Sequence, residues 1–175
     1  MTFTGGKDGK ISTRKIPACT VYTAEFDVSD FNSYFDFETG KNILYDLQYL
    51  MQNENPDVIV PEVNKGDYNF FEYPLEENPD GTKHFIYHDM VFGVGKDSPT
   101  DTYRFERMPE INAAVMLCQG PYDNIYEGFK TVYEWIEKKG HLIDGPGRVS
   151  AIHGPWDRDD PEGFLMELQV PIREK

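Results

Sequence analysis

Residues 164–172 read FLMELQVPI, and the alternation in this stretch decides the fold. Successive side chains on a strand point to opposite faces. Phe164, Met166, Leu168, Val170 and Ile172 therefore share one wholly apolar face, while Leu165, Glu167 and Gln169 share the other. The pattern predicts a strand with one face covered. An acid in the middle of the second face meets either water or a ligand. Periodicity alone leaves both open, because half-exposed antiparallel sheets alternate in the same way.

Outward from this strand the chain alternates strand-like and helix-like segments. Residues 18–27 predict a strand. Residues 40–53 predict a helix with Ile43, Leu44, Leu47, Leu50 and Met51 on one stripe, ended by Asn55-Pro56. Residues 67–73 and 83–94 predict strands joined by the turn Asn78-Pro79-Asp80-Gly81. The plan then recurs. A strand over 111–119 leads to a helix over 122–139, with Ile125, Phe129, Val132 and Ile136 on one face and Gly140 as its cap. Strands follow over 148–153 and 163–172.

The recurrence extends to residues. Lys15-Ile16-Pro17 matches Arg107-Met108-Pro109, and Leu47–Met51 lies over Val132–Ile136. Asp89-Met90-Val91 lies over Glu167-Leu168-Gln169. These matches predict an α+β domain over residues 14–175 behind a flexible lead-in at 1–13. It consists of two tandem β-α-β-β units, repeat one at 14–95 and repeat two at 105–173. A pseudo-twofold axis relates them, and two helices pack on antiparallel sheet with a central ligand cleft. The helix of each unit covers one sheet face, so the open faces are expected to line the cleft. Glu167 then enters it from one unit and Asp89 from the other. Tyr87 stands beside Asp89, and Tyr68 and Phe70 form aromatic walls. A cleft with aromatic walls and a few polar groups is the usual form of a small-molecule site. A carboxylate among rings suits a lipophilic cation.

Composition narrows the function. The 175 residues are 39% hydrophobic and 14% aromatic, a globular balance with aromatic weight. A net charge of −14 and a pI near 4.6 repel a phosphate backbone, so direct nucleic-acid binding is disfavoured and cations are attracted. No apolar run is long enough for a membrane helix, and MTFTGGKDGK is not a signal peptide. A cytoplasmic location is expected, with Cys19 and Cys118 as buried thiols. No cofactor or metal is expected. His84 and His88 share a strand face without a completing Cys or close acid, and Phe92-Gly93-Val94-Gly95-Lys96 lacks nucleotide-binding spacing.

The segment AAVMLCQGPYDNIYEGFKTVYEWIEKKGHLIDGPGRVSAIHGPW, followed by FLMELQVPI, resembles the GyrI-like small-molecule-binding domain. That module also serves as the effector-binding domain of AraC-type and MerR-type transcription regulators. Met108-Pro109, Gly120-Pro121-Tyr122, Trp135 and Glu167 carry the resemblance, which is stronger over 105–173 than over 13–95. It implies a duplicated β-α-β-β pair with a cleft between the halves and Glu167 pointing into that cleft. Tyr122 at the cleft mouth and Trp156 complete the expected ligand contacts. Ala151 departs from the family's usual tyrosine. Too few residues precede Arg14 for a DNA-binding unit, so a stand-alone binder of hydrophobic cations or aromatics is expected, with a separate regulator or gyrase as protein partner. Two alternatives accompany it. One is a hydrolase of reactive small molecules using Glu167 and Tyr87, a less favoured reading than a binder. The other is a protein-interaction role such as gyrase inhibition.

Overall fold

The repeats build one sheet. A computed structural model describes residues 10–29, 42–61, 69–74 and 76–175. The first half runs β1 (Ser12–Ile16), β2 (Cys19–Val28), α1 (Ile43–Glu54), β3 (Asn69–Glu72) and β4 (Lys83–Met90). The second half runs β5 (Arg104–Met108), β6 (Ile111–Gln119), α2 (Ile125–Lys139), β7 (His141–Ile143), β8 (Arg148–His153) and β9 (Leu165–Glu174). The strands lie in the order β1-β6-β9-β8-β3-β4-β2-β5, with β7 also on β9. Every pairing is antiparallel. The fold is α+β, with two α-helices among the described residues on a large antiparallel sheet.

The repeats meet where β3 pairs with β8 and Phe71 stands opposite Val149. Their lead-in strands are exchanged. β1 pairs with β6 of repeat two, and β5 pairs with β2 of repeat one. Neither strand stands out in the sequence, because STRKI and RFERM are short and charged, as suits sheet edges. Strand structure already begins at Ser12, inside the expected lead-in; residues 1–9 lie outside the described part.

Asn42 caps α1, its Oδ1 accepting from Leu44 N at 2.8 Å. Leu47 and Met51 bury, while Leu50 at the stripe's edge stays 39% exposed. On α2, Ile125, Phe129, Val132 and Ile136 all bury, and a 3₁₀ turn at Tyr122–Asn124 replaces the expected first helical turn. Gly140 closes α2 at φ 75°, a left-handed cap open to glycine.

Both helices lie on the same side of the sheet. Their buried side chains join one core with Tyr22, Phe71, Phe85, Val149, Met116, Met166, Leu168 and Val170, which the pairing registers place on a single face. The even residues of the last strand are thus under the helices, as its alternation predicts. Among the described residues the two units join edge to edge through β3 and β8 in one sheet, and the cavity beside Asp89 opens on the helix side of that sheet.

The register also corrects the alignment of the repeats. Ile16 opposite Ile111 and Met108 opposite Cys19 make Cys19 the counterpart of Ile111. Carried one strand further, the pairing makes Asp89 the counterpart of Val170 and Ile86 that of Glu167. The match of Asp89 to Glu167 is off by an odd number of residues, and an odd slip exchanges faces. Asp89 lies on the helix face and Glu167 on the opposite one.

Candidate functional site

A carboxylate is buried where the two repeats meet. Asp89 sits on β4 between Tyr22 of β2 and Asn69 of β3 and is only 6% exposed. The Tyr22 hydroxyl donates to Asp89 Oδ2 at 2.8 Å. Burial pushes the Asp89 carboxyl up to about 7, although hydrogen bonds from Tyr22 and Tyr87 favour its charged form. Burial and the neighbouring carboxylate in turn drive both phenols well above their ordinary range, so they remain donors.

Aromatic rings surround the acid. Tyr87 meets Tyr22 edge-on at 6.4 Å and Phe71 at 4.8 Å. Tyr103 meets Tyr22 edge-on at 6.5 Å. A cavity of about 80 Å³ opens beside Asp89. Its walls include Tyr45 and Gln48 from α1, Tyr87 from β4, Ala151 from β8 and Trp156. Trp156 follows an irregularity in β8 between Ala151 and His153. Its turn is held by Asp157, which accepts from Gly154 N at 3.0 Å and pairs with His153 at 2.7 Å. The indole packs so tightly on Gly154 that a Cβ there would lie 2.4 Å from the ring. The indole Nε1 is buried and has no hydrogen-bond partner among the described residues. Asp89, the phenols Tyr45 and Tyr87 and the Trp156 indole thus line one small aromatic chamber, with Tyr22 bonded to the acid from outside its walls. That set can hold a cationic head against the acid and offer one hydrogen bond to an acceptor on the same ligand.

The expected site residues separate. Asp89, Tyr87 and Trp156 line this cavity together. Tyr122 lies behind it, 4% exposed and packed on Phe164 at 5.1 Å, not at a mouth. Phe70 occupies the opposite face, where it packs on His88 at 4.7 Å. Glu167 is also on that face, accepting from Arg14 and from Gln169 Nε2. A repeat alignment three residues out placed Glu167 with Asp89, and Phe70 was assigned to the wrong face of its own strand. Tyr68 lies outside the described residues. Tyr22 and Tyr45 were not anticipated. Tyr22 shares the even, apolar parity of Ala24 in residues 18–27, and this was the available signal. The helix-face position of Tyr45 depends on tertiary packing. His84 and His88 do have acidic neighbours, Glu25 and Asp27 for the first and Glu72 and Glu106 for the second. Among the described residues no group of three potential ligands gathers at a metal position.

A wider groove of about 650 Å³ runs along α2 and β7, past Tyr126, Tyr133 and Glu134. It is open and balances Glu134 and Glu137 against Lys130 and Lys175, so it lacks the buried charge that distinguishes the Asp89 cavity.

Residues 73–173 match the family described as the GyrI-like small molecule binding domain. The crystal structure of the EcmrR C-terminal domain superposes with a TM-score of 0.77 at 24% identity, covering 95% of this chain and 98% of that one. EcmrR in a DNA complex gives a TM-score of 0.76 at 25% identity, covering 98% of this chain and 61% of that one. A hydrolase from Listeria innocua shares the fold at 11% identity, with a TM-score of 0.61 and coverage of 97% and 98%. No curated protein matches the chain.

Proposed function

We propose that this chain, which belongs to the GyrI-like small-molecule-binding domain family, binds small organic cations with an aromatic or apolar body, and that Asp89 is the counter-ion. The buried Asp89 carboxylate, hydrogen-bonded by Tyr22 and ringed by Tyr87, Phe71 and Trp156, carries this reading. An isolated buried charge is unfavourable, and a cation that enters against it relieves that cost. Tyr87 and Trp156, which line the cavity, offer rings for cation–π contact. The cavity of about 80 Å³ takes a compact cationic head. A drug-sized ligand needs several hundred Å³ and has to move Tyr45 or Trp156, both part-exposed, out of the way. Likeness to EcmrR in its DNA complex is the ground for linking this ligand sensing to transcription regulation.

Thermal unfolding against arylammonium and phosphonium cations, with neutral aromatics of matched shape, tests the reading. A ligand that binds only the folded chain raises Tm by mass action. Cations are expected to raise Tm and the neutral analogues to do so much less, and Asp89→Asn removes the difference. Equal shifts for cations in wild type and Asp89→Asn would show that Asp89 is not the counter-ion.

A further inference from the structure

The sheet face turned away from the helices buries charge. Arg148 of β8 stands between Glu72 of β3 and Gln169 of β9 in the pairing register. It is 6% exposed, and its guanidinium lies 4.4 Å from the centre of the Phe70 ring. Its Nε has no hydrogen-bond partner, and no carboxylate of the described residues is within ion-pairing distance of it. His88 packs on the same Phe70 and is 3% exposed. Its Nδ1 is 2.7 Å from Thr23 Oγ1, while Nε2 lacks a hydrogen bond and has Glu72 Oε2 at 3.6 Å. Glu72 is thus nearer His88 and makes no direct pair with the guanidinium, which leaves the fork open to another acceptor.

Glu72 attracts the guanidinium from beyond ion-pairing distance, and Cys19 of β2 adds a smaller attraction. A buried cation without an ion pair is unfavourable, and an apolar side chain of similar volume is commonly more stable in its place. Such local conflict with stability marks functional positions. The planar fork of five donors matches the two oxygens of a carboxylate or phosphate.

We propose that Arg148 forms a second site, on the face opposite Asp89, for a small oxyanion of the carboxylate or phosphate class. The site is independent of the cation reading, since it shares no residue with the Asp89 cavity. Benzoate and inorganic phosphate are the probes, and their relative strength distinguishes an organic acid from a phosphate ligand. In a heteronuclear NMR titration of the full chain, the Arg148 Nε–H signal is expected to move saturably with at least one of them. By calorimetry Arg148→Met weakens that probe at least about tenfold, the loss of a charge-assisted bond. Arg148→Lys keeps the charge without the fork and gives an intermediate loss, while Asp89→Asn leaves anion binding unchanged. An Arg148 signal that neither probe moves overturns the proposal, as does undiminished binding by Arg148→Met. The wild-type titration decides the matter even if Arg148→Met does not fold.

Discussion

Asp89 shows how one residue couples binding to pH. Its folded-state pKa, near 7, lies above that of an unfolded aspartate. Between about pH 4 and 7 the folded chain therefore holds a proton that the unfolded chain releases, and stability falls as pH rises through this window. The Asp89→Asn variant lacks this penalty, so its Tm relative to wild type is expected to improve from pH 5 to pH 8. Cation affinity runs the other way and strengthens up to about tenfold per unit as pH rises toward 7, because the bound state needs the charged carboxylate. Tyr22→Phe deletes the 2.8 Å hydrogen bond to that carboxylate. It is expected to cost about 1 kcal/mol of stability and to move the pH midpoint of cation binding upward, measured by calorimetry at several pH values. Asp89, Tyr87 and Trp156 were legible in the sequence as polar or aromatic residues near expected strands. Asp89 was read onto the wrong face, because it was assigned by alignment to Glu167 and the local pattern fixes parity within one strand but not register against another.

Among the elements, the two helices are unequally anchored. α2 buries Ile125, Gly128, Phe129, Val132 and Ile136, whereas α1 buries Leu47 and Met51. Fewer buried apolar groups mean a lower free energy of local opening. Native-state hydrogen exchange is expected to show α1 amides exchanging well before those of α2, and a cation bound at Asp89 is expected to slow α1 selectively, since Tyr45 and Gln48 wall the cavity. Equal protection of both helices would remove this distinction. The strands at 111–119 and 148–153 were legible to the residue because their apolar runs end at turn-forming residues. β1, β5 and β7 were not, because short charged edge strands carry no periodic signal and form only when a neighbouring strand offers its edge.

In the whole molecule, the exchanged lead-in strands bind the halves into one cooperative unit. β1 completes the edge of repeat two, with Arg14 reaching Glu167, while β5 completes repeat one. Removing residues 1–16 is therefore expected to destabilise β6 and β9, which lie far away in sequence, more than the adjoining β2. Hydrogen exchange of the truncated chain measures this. Repeat one expressed alone, lacking both β5 and the β3–β8 seam, is expected to remain unfolded by circular dichroism. A stably folded isolated repeat would contradict the interlocked reading.

The sequence by itself determined the α+β class, the two β-α-β-β units, the helix-covered face of the last strand and the family resemblance. These follow from side-chain periodicity, turn chemistry and local motif, all read within a few residues. The tertiary structure decided what lies across strands. The units join edge to edge through β3 and β8, Asp89 is paired with Tyr22 in place of Glu167, and Arg148 is buried without an ion pair among the described residues. Register arises from contacts between residues far apart in the chain, and a shift of a single residue exchanges the two faces of a strand.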